Sequence, residues 1–145
     1  MRRRAGQDGF TLIELILVLA TVAVVAAMAA PRYAGALANY RSRCAAQRVA
    51  TDLAAAAAEA LAQSSARTVR FDRAAAAYTV NGGAPVRLDQ EPYRAALVSV
   101  DLGGDEAITF DGYGAPDSGG TIVVRSGSFT RSVRVDPLTG RGFVE

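Results

Sequence analysis

Apolar side chains run from Phe10 to Ala30, interrupted only by Thr11, Glu14 and Thr21. As a helix this stretch is about 31 Å long, the hydrocarbon thickness of a bilayer, so its length predicts a membrane span. Its single charge is Glu14. A carboxylate inside such a segment is costly unless something pairs with it. From Arg32 to about Ser64 polar residues return while helical periodicity persists. Leu37, Tyr40 and Cys44 make one stripe, and Val49, Leu53, Ala57 and Leu61 continue it in steps of four. Pro31 removes one backbone hydrogen bond and predicts a kink or a loosened turn. One long helix, half in lipid and half in a soluble domain, is expected.

Beyond Ser65 the period shortens to alternation. Thr68 to Asp72 and Tyr78 to Val80 read as strands, Asn81-Gly82-Gly83 as a hairpin turn and Pro85 to Leu88 as a return strand. Ala96 to Leu102, Ala107 to Phe110, Thr121 to Arg125, Phe129 to Val135 and Gly142 to Val144 follow, separated by glycine-rich connections. The expected fold class is α+β, a long amino-terminal helix packed on an antiparallel sheet or small β-sandwich. Val69, Phe71, Ile108, Phe110, Ile122, Val124, Val133 and Val135 are the expected core.

The segment from Gly9 to Glu14, with its basic leader, the apolar run and Pro31, resembles the processing and assembly signature of type IV pilins and type II secretion pseudopilins. In that family a prepilin peptidase cuts after the glycine and methylates the new amino terminus. The resemblance implies residues 1–9 as a cleaved leader, residues 10–31 as a membrane and assembly helix, and residues 32–145 as a periplasmic domain with its helix over 32–64 and its β region over 67–145. It makes Gly9 and Phe10 the processing site, and Glu14 and Pro31 the assembly residues.

Downstream, Ile108-Thr109-Phe110-Asp111 with Gly114, Gly119 to Val124, Arg134-Val135 and Thr139-Gly140-Arg141 resemble the GspH/FimT group of minor pseudopilins and pilins. The implied partners are the prepilin peptidase, sibling pseudopilins or pilins, an inner-membrane assembly platform with its ATPase, and membrane lipid. The implied location is the bacterial inner membrane, crossed once.

Physics supports the carry-over. Cleavage after Gly9 creates an ammonium on Phe10, and Glu14, about 6 Å along the helix, can neutralise that charge in a neighbouring subunit. Two other readings remain. Glu14 can be a helix-end carboxylate reaching towards headgroup water. Alternatively, Arg2 to Arg4 and Ala27-Met28-Ala29 can be the ends of a secretory signal peptide. The run is longer than such signals and contains Glu14, which weighs against the second; amino-terminal sequencing separates a start at Phe10 from one near Ala30.

Composition narrows the rest. The 16 basic residues, all arginine, exceed the 14 acidic ones, but without residues 1–9 the side-chain charges balance. The basic excess therefore says little about a nucleic-acid partner. Cys44 is the single cysteine and histidine is absent, which excludes an internal disulfide, histidine-based triads and zinc sites. Cys44 is read as a small apolar residue on a helix face. Asp101, Asp105, Glu106, Asp111 and Asp117 in glycine-rich loops invite calcium, but their spacing is not that of an EF-hand. Nor do Asp101, Asp105 and Asp111 suggest a hydrolytic pair, since nothing fixes their separation and tryptophan is absent. No enzyme, metal site or cofactor is expected. Arg125, Arg131, Arg134 and Arg141 are the candidate DNA contacts of a DNA-uptake alternative. FimT-type relatives bind DNA through Gly-Arg-x-Arg, and Phe143 stands here where the second arginine would be.

Overall fold

A computed structural model describes residues 10–145. The expected leader, with Gly9 and its arginines, lies outside the described residues. The chain divides into two compact units, one ending at Ala34 and the other running from Gly35 to Glu145. A single helix, α1 (Leu12–Gln63), supplies all the regular structure among the described residues of the first and the opening element of the second. It continues through Pro31. A proline there has no N–H to donate and leaves the Ala27 carbonyl without its helical partner.

In the second unit the helix ends where Ser64 adopts φ 46°. The Ser65 amide donates to the Ala60 carbonyl at 3.1 Å and the Ser64 amide to Leu61 at 3.3 Å. This six-to-one closure through a left-handed residue is a Schellman-type end, built here on serine rather than glycine. The buried face comprises Ser42, Ala45, Ala46, Val49, Leu53, Ala56 and Ala60. That differs from the expected stripe: Tyr40 is 65% exposed and Leu61 58% exposed. With 3.6 residues per turn, each step of four carries a line about 40° around the axis. A stripe in steps of four therefore drifts off the contact, whereas 42, 46, 49, 53, 56 and 60 alternate between fours and threes and stay on it.

Eight strands follow: β1 (Arg67–Asp72), β2 (Ala77–Val80), β3 (Val86–Arg87), β4 (Ala96–Leu102), β5 (Ala107–Phe110), β6 (Gly120–Ser126), β7 (Phe129–Val135) and β8 (Gly142–Val144). They form two antiparallel four-stranded sheets, ordered β3-β2-β1-β5 and β4-β6-β7-β8. Asn81 and Gly82, at φ 50° and 70°, turn the chain between β2 and β3, as the Asn-Gly pair predicts. The return strand is shorter than expected; Leu88 leaves the ladder but is buried, its amide donating to the Ala76 carbonyl at 2.8 Å.

Each sheet turns one face inward. Val69, Phe71, Ile108 and Phe110 from the first sheet and Ile122, Val124, Val133 and Val135 from the second join Val49 and Leu53 of the helix in one core. All eight strand residues expected in the core are there. The alanines at 45, 46, 56 and 60 keep the helix surface flat, so that the sheets come close to its backbone. The free margins are guarded. Along β5, the Asp117 amide donates to the Thr109 carbonyl at 2.9 Å and Phe110 bridges to Pro116, while β4 carries a bulge between Leu97 and Ser99. Bulges and proline cover of this kind suppress edge-to-edge pairing.

Candidate functional site

The described residues of the first unit present mostly apolar surface. Residues from Phe10 to Ala34 are exposed, Phe10 itself 77%. An apolar surface of this size is a site for lipid or for other protein. Thr21 needs no outside partner, since its hydroxyl donates to the Val18 carbonyl at 2.8 Å. Thr11 starts the helix: its hydroxyl accepts from the Glu14 amide at 3.3 Å and its carbonyl from the Leu15 amide at 3.2 Å. Thr11 is thus the N-cap and Glu14 the third helical residue, the Thr-x-x-Glu spacing of a capping box. A carboxylate in the first turn also faces the positive end of the helix dipole. Glu14's carboxylate has no hydrogen-bond or ion-pair partner among the described residues, which leaves it free to take a cation from outside.

The four arginines considered for DNA do not share a face. In the β6–β7 ladder Ile122 pairs with Val133 and Val124 with Arg131, so Arg131 lies on the inward face of its sheet. There it donates to Asn39 Oδ1 of the helix at 3.0 Å. Arg134 pairs with Thr121 and Arg125 with Thr130 on the outward face, four residues or about 13 Å apart along the strands. Arg134 is also 3.7 Å from Glu145. Arg141 sits in the connection between β7 and β8. Period-two alternation already assigns Arg131 the parity of Val133 and Val135; which parity faces inward depends on the packing.

The loop carboxylates are consumed by turns. Asp111 accepts from the amides of Tyr113 and Ala115, both at 2.9 Å. Asp117 accepts from the Thr109 amide at 3.0 Å, and Asp101 from Gly104 at 3.2 Å. Asp136 accepts from Leu138 at 2.7 Å and from Thr139 at 3.2 Å, and these two amides hold its carboxyl below the usual carboxylate range. Among the described residues no three carboxylate or cysteine side chains converge as a cation site would require. Aspartate bound to a backbone amide two to four residues on is a turn-forming device, which accounts for Asp101, Asp111 and Asp136, while Asp117 instead ties its loop to the margin of β5.

One polar cluster has only part of its signal in the sequence. The Tyr78 hydroxyl donates to Asp52 Oδ2 at 2.6 Å, and Arg48 meets the same oxygen at 2.9 Å. Burial first, then the Asp52 carboxylate, pushes the Tyr78 phenol well above its ordinary value. Arg48 and Asp52 stand at i and i+4, so their pairing is readable from spacing; Tyr78, 26 residues away on β2, is not. Similarly, Glu91 accepts from Arg41 of the helix at 3.0 Å and from Arg94 at 2.8 Å, tying the β3–β4 connection to the helix.

Residues 45–139 match the family described as type II transport protein GspH, and residues 4–30 match the prokaryotic N-terminal methylation motif. The first match covers most of the globular unit, and the second contains the whole apolar run with Phe10 and Glu14. No curated protein and no solved structure matches the chain.

Proposed function

Because the chain belongs to the GspH family of type II transport proteins and carries the methylation motif, we propose a mechanism for it as a minor pseudopilin, a structural subunit of a type II secretion or type IV pilus filament. Its family is not one of enzymes. The chain is instead the substrate of one: prepilin peptidase cuts after Gly9 and methylates the amino group of Phe10. Residues 10–31 cross the inner membrane once, and residues 32–145 stand in the periplasm.

Assembly then proceeds in two stages. Burial of the exposed apolar helix in lipid concentrates subunits in two dimensions. The carboxylate of Glu14 next meets the terminal ammonium on Phe10 of a sibling subunit and fixes the axial register between them. A charged side chain at the centre of a spanning helix costs about 3 kcal/mol. That figure is an upper bound on the drive towards pairing, since Glu14 lies near the helix start. Pro31 loosens the helix where the subunit must bend out of the membrane into the filament, and the inner-membrane platform supplies the extraction.

The observation that carries this reading is Glu14. It is the single charge between Phe10 and Ala30, stands at the third helical position and has a carboxylate that Thr11 does not engage. A capping role alone predicts that Gln at position 14, which still caps, will behave normally. The pairing role predicts that both Glu14→Ala and Glu14→Gln insert and are cleaved but drop out of the filament. Processing is followed by the mobility shift of the precursor, and incorporation by co-purification with sheared filaments. Normal incorporation of Glu14→Gln refutes the pairing.

A further inference from the structure

The globular unit is electrically polar along its helix, and the turn between β6 and β7 is the reason. A Cβ on Gly127 would lie 3.1 Å from that of Ala38, and one on Gly35 would lie 3.9 Å from the Phe129 ring. This hairpin tip therefore rests on the first turns of the unit's helix. It brings Arg125 and Arg131 to that end, where Arg131 bonds to Asn39. The Ser126 hydroxyl donates to the Arg94 carbonyl at 3.0 Å and brings Arg94 to the same place. Arg41 and Arg43 belong to the helix itself. Five guanidiniums thus gather where the unit begins. Arg41 and Arg94 share the single carboxylate of Glu91. Glu145, which shares a cleft with Arg43 and Arg131, is paired with Arg134. Counting both acids against the five arginines leaves three net positive charges.

The other end carries more acid than base, with Arg67 held there by Gln63. A Cβ on Gly112 would lie 3.0 Å from Ser64, which places the Asp111 turn at the helix end, and Gly140 packs the Asp136 turn onto Phe110 beside it. Asp101 and Asp117 cap neighbouring turns. From Ala38 to Ser64 the helix advances roughly 39 Å. Sequence charge counting misses this polarity because the whole unit is nearly neutral and its arginines come from four separated segments.

Chain connectivity then selects the partner. Ala30 closes the apolar run and Gly35 opens the globular unit. Only four residues separate them, so the arginine end is the part of the domain tethered nearest the span. We propose that the arginine end of the domain docks on anionic lipid headgroups of the leaflet from which the helix emerges, with the acidic end turned to solvent. This rests on the reading that residues 10–30 lie in a bilayer. Duplex DNA offers the same phosphate chemistry, but two of the four arginines considered for it, Arg134 and Arg141, lie outside this cluster, while the cluster itself is at the end of the domain that follows the apolar run in the chain. Docking holds the subunit against the membrane until assembly extracts it.

The test uses the full chain with Cys44→Ser and a fluorophore at Ser128→Cys, reconstituted in nanodiscs of phosphatidylcholine alone or with one third phosphatidylglycerol. Headgroup-linked quenchers report the distance of the hairpin tip from the lipid surface. The expected result is stronger quenching in the anionic discs, abolished by about 1 M salt. The docked-to-free ratio should fall about fivefold for each of Arg94→Gln and Arg125→Gln, with Arg70→Gln and Arg141→Gln unchanged. Equal quenching in both discs, or indifference to Arg94 and Arg125, overturns the docking while leaving the membrane reading intact. A chain that enters neither disc overturns both. Duplex DNA that displaces the tip from anionic discs at physiological salt, through the same two arginines, transfers the site to DNA and also overturns the proposal.

Discussion

Replacing Gly140 with alanine separates two costs that a single glycine often hides. Gly140 is buried at φ 65° in the turn between β7 and β8, where its amide donates to the Asp136 carbonyl at 2.8 Å. An alanine Cβ there would lie 2.6 Å from Cε1 and 3.3 Å from Cδ1 of Phe110, whose ring is fully buried and has no space to swing aside. The left-handed conformation costs a non-glycine residue about 1–2 kcal/mol, and overpacking a tight core adds about 1–3 kcal/mol. Gly82 provides the control. Its φ is 70°, yet nothing lies within 4 Å of its missing Cβ, so Gly82→Ala incurs the backbone cost alone. For a unit the size of Gly35–Glu145, 1 kcal/mol shifts the melting temperature by about 4 °C. Gly82→Ala should melt about 4–8 °C below the parent and Gly140→Ala about 8–20 °C below it, followed by near-ultraviolet circular dichroism of the full chain in detergent. Melting temperatures within about 2 °C of each other would refute the steric half of the argument.

Two further changes test the unit's polar and backbone devices. Tyr78→Phe removes the hydroxyl bond to Asp52 while Arg48 keeps its own, and should cost about 1–2 kcal/mol in urea unfolding. Because the Tyr78 phenol is raised in the folded state, its contribution is complete below the unfolded tyrosine value and is lost as pH climbs above it. The parent's urea midpoint should therefore fall between about pH 9 and pH 11 more steeply than that of Tyr78→Phe; parallel declines would exclude Tyr78 as the source. Ser64→Gly should stabilise the unit by about 0.5–1 kcal/mol, since the helix ends through a left-handed residue that glycine occupies without strain. A lower urea midpoint for that variant would show that the serine contributes something the backbone geometry does not reveal.

The order and kind of elements were legible because helix and strand are local periodicities. Ala96–Leu102 and Phe129–Val135 have the boundaries their alternation predicts, and Asn81-Gly82 turns the chain because its backbone adopts the left-handed angles these residues tolerate. The family was legible at the amino terminus, where glycine, phenylalanine and glutamate stand at fixed spacing before an apolar run. The helix stripe was legible only in part. Counting in fours finds Val49 and Leu53 but carries the line on to Leu61, which solvent takes.

What the sequence determined by itself is therefore whatever one segment can express through its own spacing: a membrane-length helix with one acid near its start, eight strands, the residues of the core and the turns between them. Only the tertiary structure decided which distant groups meet. The chain moves between its two sheets, placing β4 with β6 while β5 returns to β1, and no local pattern encodes that exchange. With the packing of the sheets on the helix it decides which side of β7 carries Arg131 inward, that Tyr78 meets Asp52, and that five arginines gather at one end of a nearly neutral domain. Periodicity fixes which side of its own element a residue occupies; sheet order and packing fix what stands opposite.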